Sequence, residues 1–471
     1  MNQEYAYLAL ESWLLQQLQT GRWQVGERLP SVRMLCRERG VSKATVIHAY
    51  QRLEAQGRIE ARPRSGYFVC APLAAVRVSD RSDESTLIPQ PVPVTSSELL
   101  TDIMMQGAAF DLLPGQQAPY LPAGLLLLNR AIARALRQSR GVSHQSYEEP
   151  AGFLPLRQLL AQRYQRDACQ VTADQLCITS GCQNALYLAL KASCQPGDLV
   201  AVESPGFYGV IQLLETLQLK VIEIPVKSGV GMDLKALERA LMHWPIRACV
   251  VTPSFATPGG TLMPAGEQQC LLELAERYDL VVIEDDIYRE LSFAGRLSPL
   301  KARDTQDRVI LCGSYSKTLS RDLRLGWAIS KRWHARIVYL KLMTQLASSH
   351  YVQQGLYDYL NSGEYDRYLR HRVTELYGQA QDWISAIQRR WQDQIVFDRP
   401  QGGLCLWVTW QCPIDTLALY PRALQQNVAL TPGPLFSASG DFRQALRLSF
   451  AQPCTAAHEA ALDRLQGLMH Q

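Results

Sequence analysis

Apolar positions recur at helical spacing three times within the first 57 residues. Tyr7, Leu10, Leu14 and Leu18 mark a helix over residues 5–20, and Gly21 supplies its stop. Val32, Leu35 and Cys36 stripe a second helix, which Ser31 caps and Gly40 ends. After the short turn Gly40-Val41, Ser42 caps a third, with Val46, Ala49, Tyr50 and Leu53 inward and Gly57 at its close. The pattern then becomes strand-like, as Arg58-Ile59-Glu60 and Tyr67-Phe68-Val69 flank the turn Arg62-Pro63-Arg64-Ser65-Gly66. Three helices and a small hairpin over residues 1–72 predict a winged helix-turn-helix.

Residues 73–101 lose periodicity and are rich in Pro, Ser and Asp, which predicts a linker, flexible early and stiffer through PQPVPV. From 102 to 471 the chain alternates longer helical patterns with short apolar runs: QLCITSG, LVAVESPG, ACVVTPS, LVVIEDD and RVILCGS. Each run ends in Gly, Pro, Asp or Ser. That alternation predicts an α/β unit around a mostly parallel sheet, with its ligand site at the carboxyl ends of the strands. From about Tyr351 onward helices mix with shorter strands, as expected of a second, smaller lobe.

Composition narrows the class. At 471 residues, 47% hydrophobic and 20% charged, the chain has the balance of a globular protein of more than one domain. It holds no apolar run of the roughly 20 residues that span a bilayer. The N-terminus MNQEYAYLAL lacks the basic and apolar stretches of a signal peptide, so a cytoplasmic location is expected, away from membranes. The 12 cysteines stand singly, without zinc spacing, so neither disulfides nor a metal site is expected. The net charge of +4 resides wholly in residues 1–70, where ten Lys/Arg face six Asp/Glu, which suits a module that meets a polyanion.

On the expected head, Lys43, Thr45 and His48 are outward positions early in the third helix, where side chains meet base edges or phosphates in a major groove. Ser31 and Arg33 begin the second helix and can bond phosphates. Arg62 and Arg64 on the wing can enter a minor groove, and Gly66 permits close backbone approach. The alternative is a small helical domain used for protein contacts.

The strand ends of the larger unit carry a second set of groups. Gly313-Ser314-Tyr315-Ser316-Lys317-Thr318 follows RVILC, with Arg324 seven residues after Lys317. The hydroxyls of Ser314 and Ser316 and the Arg324 guanidinium can grip a phosphate while the lysine reaches an aldehyde. Asp285 closes LVVIED and can hold a pyridine nitrogen protonated, and Tyr288 can bond a phenolic oxygen. Ser180-Gly181-Cys182-Gln183 opens a helix after CIT and offers free N–H groups to an anion. Phe207 can stack on a ring face. This is the group list that pyridoxal 5′-phosphate chemistry needs.

Two resemblances follow. The strings G-x-W-x-x-G-x-x-LPSVR, GVSKATV-x-x-AY-x-x-L and RPRSGYFV resemble the DNA-binding domain of the GntR family over residues 5–70. Residues 106–471 resemble the fold type I aminotransferases, and the fusion resembles the MocR subfamily of bacterial regulators. The resemblance implies a PLP-dependent transferase-like α/β fold with large and small lobes, and a homodimer. It implies Lys317 as the Schiff-base lysine, Asp285 as the pyridinium partner and Tyr288 on the phenolic oxygen, with Ser314, Arg324, Gly181 and Cys182 around the phosphate. Arg447, in ALRLSF, matches the arginine that receives a substrate α-carboxylate, with a structural salt bridge as its alternative. Tyr147, in SYEEPAG, resembles a tyrosine that crosses the dimer interface to the phosphate, a core or surface tyrosine being the alternative.

The sequence departs from the aminotransferase pattern at two places. Thr257-Pro258-Gly259-Gly260 stands where these enzymes usually read Asn-Pro-x-Gly, so Thr257 replaces the amide that bonds the phenolic oxygen. Phe207 lacks the hydroxyl that many relatives have. Cofactor binding is expected, while efficient transamination does not follow. The expected function is a regulator that binds operator DNA and senses a small amino compound through external aldimine formation. An active aminotransferase with a DNA-binding head, or a DNA-binding protein with a scaffold-only second domain, are the alternatives.

Overall fold

The computed structural model describes residues 3–20, 22–24, 26–55, 58–62, 66–69, 88–92, 111–113, 123–138 and 147–469. The chain divides into two compact units, Met1–Thr86 with Phe293–Gly295 and Leu87–Ser292 with Arg296–Gln471.

The first unit holds helices α1 (Gln3–Gln19), α2 (Val32–Arg39) and α3 (Lys43–Ala55). Strands β1 (Ile59–Arg62) and β2 (Gly66–Val69) follow, antiparallel, with Ile59 opposite Val69. Ser31 Oγ accepts the Met34 N–H at 3.2 Å and starts α2, and Gly40, at φ 64°, ends it by donating its N–H to the Cys36 carbonyl at 3.0 Å. Ser42 Oγ accepts the Thr45 N–H at 3.1 Å and starts α3. The helical stripes converge on one core of Leu10, Leu14, Leu35, Val46, Ala49, Leu53, Ile59 and Val69. Deleting a fully buried leucine such as Leu35 to alanine costs about 2–5 kcal/mol. Tyr50 donates its hydroxyl to the Pro30 carbonyl at 2.6 Å, which ties α3 to the lead-in of α2 and fixes the angle of the turn. Gly57 and the wing tip 63–65 lie outside the described residues.

Of the segment 73–101, residues 88–92 are described, and they belong to the larger unit. Pro91–Val92 pairs antiparallel with Val221 and Ile222, and Trp244 Nε1 donates to the Pro89 carbonyl at 3.0 Å. This corrects the expected linker, because its proline-rich part forms a sheet edge, where a missing N–H is tolerated.

The larger unit is built on a nine-stranded sheet. Its order is Pro91–Val92, Lys220–Lys227, Leu199–Ser204, Ile246–Val251, Val281–Asp285, Val309–Ser314, Gly326–Ile329 and Leu176–Thr179, with Gly231–Met232 paired beside Lys220–Lys227. The strands from Lys220–Lys227 to Val309–Ser314 are parallel, and Gly326–Ile329 runs antiparallel to both neighbours. All five expected strands form. Lys220–Lys227 and Gly326–Ile329 escaped the reading, the first because Lys, Glu and Pro interrupt its apolar positions, the second because Gly326 and Ala328 leave it only two large apolar side chains. Alternate residues face opposite layers, as Val200 and Val202 enter the core with Leu186 and Leu214, while Leu199 and Ala201 enter the one with Leu237 and Leu271. Helices thus cover both faces, and the loops at the carboxyl ends are left to hold a ligand.

The long helix Glu364–Trp391 leads into the smaller lobe, a three-stranded antiparallel sheet of Ile395–Val396, Cys405–Trp410 and Ala445–Ser449. Trp391 and Trp410 meet edge to face at 5.0 Å in its core. Among the described residues no helix is long and apolar enough to cross a membrane.

Candidate functional site

Three strand ends meet at Lys317. One helical turn follows the strand Val309–Ser314, closed by the Leu319 N–H on the Tyr315 carbonyl at 2.9 Å, and Lys317 projects from it. Ser314 Oγ donates to the Leu325 carbonyl and shares a hydrogen bond with Ser316 Oγ, both at 2.8 Å. Arg324 sits at φ 48°, a left-handed conformation that costs a non-glycine residue about 1–2 kcal/mol. Its Nη2 donates to the Ser180 carbonyl at 3.0 Å. Gly181 caps the helix Cys182–Ser193 with no side-chain acceptor on the first N–H groups, so these remain an anion site beside Arg324. A Cβ at Gly181 would lie 2.8 Å from Arg324 Nη2, and one at Gly326 would lie 2.5 Å from the Gly181 carbonyl carbon. Only glycines allow this cradle to close.

Asp285 ends the strand Val281–Asp285 and is buried. Burial pushes its carboxyl up to about 6, while the Cys182 thiol, donating to Oδ1 at 3.2 Å, and the nearby Lys317 hold it from rising further. The thiol itself stays protonated because burial raises it. Cys182 therefore serves in two ways: its backbone lies in the anion site, and its side chain turns to Asp285 instead of the phosphate cradle. The next residue, Asp286, accepts from Arg289 Nε at 2.9 Å and from the Tyr164 hydroxyl at 3.0 Å, which fixes the loop that carries Tyr288. Burial raises the Tyr288 phenol well above its usual value, so it remains a donor.

Lys317 is lowered to about 8, first by burial and then by the like charges of Arg321 and Arg447, against the opposing pull of Asp285. Near pH 8 half of these amines are neutral and nucleophilic. Arg447 lies in the small-lobe strand Ala445–Ser449, is 6% exposed, and has its guanidinium 5.5 Å from the Phe436 ring centroid. Burial works against its charge, but Tyr208, Tyr288 and Cys405 face it and keep it cationic. Phe207 caps the helix Tyr208–Thr216, is half-buried, and lies 4.9 Å from the Tyr208 ring. The hydroxyl missing at Phe207 is thus present one residue on, directed at Arg447 instead. Sequence reasoning missed both Tyr208 and Arg321, since neither stands at a strand end.

Thr257 is buried, and its Oγ1 has no hydrogen-bond partner among the described residues. An orphaned buried hydroxyl costs about 1–3 kcal/mol unless a ligand meets it. With Lys317 for an aldehyde, Asp285 for a ring nitrogen, and Ser314, Arg324 and Gly181 for a phosphate, the residues present fit pyridoxal phosphate. Tyr147 is 79% exposed and joins nothing in this cradle.

On the head, Ser31, Arg33 and Lys43 are exposed at the starts of α2 and α3. Thr45 is half-buried with its hydroxyl 2.8 Å from Ser42 Oγ, beside the cap of α3. Gly66, at φ 107°, would bring a Cβ within 3.1 Å of Arg28 Nε, so its close approach is to a side chain of the head itself. The side chains of His48 and Arg62, and the whole of Arg64, lie outside the described residues.

Sheet order and site together define a fold type I, pyridoxal-phosphate-binding unit behind a winged helix-turn-helix. Residues 6–69 match the bacterial regulatory proteins of the gntR family, and residues 116–465 match aminotransferase class I and II. The chain is 34% identical over 476 residues to the uncharacterized HTH-type transcriptional regulator YdcR of Escherichia coli K12, covering 99% of each. It is 33% identical over 467 residues to the uncharacterized HTH-type transcriptional regulator YjiR of the same strain, covering 98% of this chain and 97% of the relative. Among solved structures, LysN, the α-aminoadipate aminotransferase of Thermus thermophilus complexed with N-(5′-phosphopyridoxyl)-L-leucine, superposes with a TM-score of 0.71 at 30% identity. That match covers 80% of this chain and 95% of LysN. The chain belongs to the aminotransferase class I and II family and, with its gntR-family head, is a GntR-type regulator of the MocR arrangement whose cofactor is pyridoxal 5′-phosphate.

Proposed function

We propose that this protein acts in the cytoplasm as a homodimer that binds operator DNA through its N-terminal unit and reads a small amino compound at Lys317. The observation that carries this reading is a complete cofactor cradle, from Lys317 and Asp285 to Arg324 and Gly181, on one chain with a helix-turn-helix. When bound, the cofactor supplies an aldehyde whose amine partner can be exchanged. Lys317, held near pH 8 in its titration, can give up that place and take it back. Arg447 receives the carboxylate of the incoming compound, and because it belongs to the smaller lobe, that contact draws the lobe toward the cradle. The exposed Ser31, Arg33 and Lys43 suit phosphate and base contacts. Exposed Leu126, Leu136, Tyr339 and Met343, together with Tyr147, suit burial against a second copy.

Regulation requires the compound to favour one DNA-binding state over the other, since tight binding alone shifts nothing. The test is an operator titration with and without an amine that changes the cofactor's absorption. A shift in affinity or half-site spacing that vanishes in Arg447→Ala is expected. Identical DNA binding and promoter output at saturating amine would overturn the reading. Retention of Lys317, Asp285 and Tyr288 together favours a second activity, slow transamination, which a multiple-turnover assay with a keto acid would detect.

A further inference from the structure

Glu223 stands on the strand Lys220–Lys227, and its carboxylate gathers donors from two segments far apart in the chain. Oε1 accepts the Ser204 hydroxyl and the Ala438 N–H, both at 2.9 Å. Oε2 accepts the Ser439 N–H at 3.1 Å, with the Ser437 and Ser439 hydroxyls at 3.2 and 2.8 Å. A carboxylate offers about four acceptor positions, so this one is fully engaged by the protein itself. Ser204 ends the strand Leu199–Ser204 and leads to Phe207 and Tyr208, whereas residues 437–439 belong to the smaller lobe. The two segments also meet directly, as the Gly206 N–H donates to the Phe436 carbonyl at 2.9 Å.

Both segments bear on Arg447. Tyr208 bonds it, and the Phe436 ring lies 5.5 Å from its guanidinium. The Tyr208 and Phe436 rings close on each other at 5.7 Å, and Trp407 packs on Phe436 at 5.4 Å. The Arg447 N–H donates to the Thr431 carbonyl at 3.0 Å, so the segment that Glu223 holds is also bonded to the strand of Arg447. Between them, a Cβ at Gly433 would come within 2.1 Å of the Phe442 carbonyl oxygen, which leaves the segment little room to shift by itself. We infer that Glu223 is a positioning residue for Arg447: one carboxylate clasps the Tyr208 side to the Phe436 side and so presets the guanidinium between them. The inference rests on the proposed reading of a carboxylate at Arg447 and adds what holds that arginine in place. Without the clasp the two sides can part, and an incoming carboxylate must first order the guanidinium, which weakens binding. Glu223 contributes no group to the chemistry at Lys317.

The test uses the full-length, cofactor-loaded protein and two probes, L-alanine and ethylamine, which differ by the carboxylate alone. Titration of the cofactor's absorption reads the Kd of each. Glu223→Ala is expected to weaken L-alanine by about tenfold and to leave ethylamine and the cofactor unchanged. Glu223→Gln keeps one acceptor oxygen and replaces the other with an amide donor, so a smaller loss is expected. In an Arg447→Ala background, where the positioned group is gone, Glu223→Ala should cost L-alanine nothing further. If Glu223→Ala does not fold, Glu223→Gln and its double variant with Arg447→Ala decide on the same terms. No loss in the Glu223 variants, equal loss for both probes, or additive losses in the double variant would overturn the inference and leave the carboxylate reading intact. A wild type that binds L-alanine no more tightly than ethylamine would overturn that reading, and this inference with it. Absence of a spectral change with both probes would overturn sensing at Lys317 as well.

Discussion

The two ends of the cofactor site are built differently. At the phosphate end the groups are fixed by the protein's own hydrogen bonds: Ser314 to the Leu325 carbonyl, Arg324 to the Ser180 carbonyl, and Gly181 pressed against Gly326. At the other end charge is gathered around the amine, and Tyr208 bonds Arg447. Thr257 Oγ1 is buried without a partner among the described residues, and Arg321 and Arg447 set two like charges around Lys317. A prebuilt end loses little freedom when a ligand binds, so it anchors. An end that concentrates charge and leaves a polar group wanting discriminates among ligands, and its occupancy changes the energies around it. The chain thus keeps the anchoring groups of an aminotransferase site, while Thr257 stands where those enzymes usually place the amide that bonds the phenolic oxygen.

The largest effect expected is at the residue the two ends share. Lys317→Ala should abolish the visible absorbance that borohydride removes from the wild type, while phosphate-end contacts still retain some cofactor reversibly. A mutant that keeps the borohydride-sensitive band would show that the lysine is elsewhere. The next effect follows from the amine's lowered pKa of about 8. The neutral amine is the reactive form, so cofactor loading of the apo protein should quicken about tenfold between pH 7 and pH 9 and then level off. Stopped-flow loading that still climbs past pH 10 would place Lys317 in an ordinary solvated setting. A smaller effect is expected where the two ends join. Cys182→Ala removes the thiol donor from Asp285, whose carboxyl should then rise above about 6 and lose part of its charge near neutrality. The loss of about 1 kcal/mol, roughly fivefold in cofactor affinity, should be greatest below pH 7 and fade above it. Equal loss at all pH values would mean that Cys182 contributes only packing.

The same contrast explains how much was legible in the sequence. Features set by neighbours along the chain could be read: Ser31 and Gly40 at the ends of α2, the stripe of Val46, Ala49, Tyr50 and Leu53 in α3, and Asp285 and Ser314 at strand ends. Features set by distant contacts could not. Tyr208 meets Arg447 across 239 positions, and Cys182 turns its thiol to Asp285 across 103. Residues 88–92 read as linker because nothing local shows that Trp244 and the strand Lys220–Lys227 await them. Short-range capping is written in spacing, whereas tertiary pairing depends on which strands become neighbours.

Measuring two affinities in two variants separates an end that anchors from an end that reads. Calorimetry would give the Kd of pyridoxal phosphate for the apo protein, and then the Kd of L-glutamate for the loaded protein, in Arg324→Ala and Arg447→Ala. Arg324→Ala should weaken the cofactor by about 10- to 100-fold, and Arg447→Ala should leave the cofactor unchanged and weaken the amino acid by a similar factor. Equal loss of cofactor affinity in both variants, with amino-acid affinity unaltered in Arg447→Ala, would contradict the division.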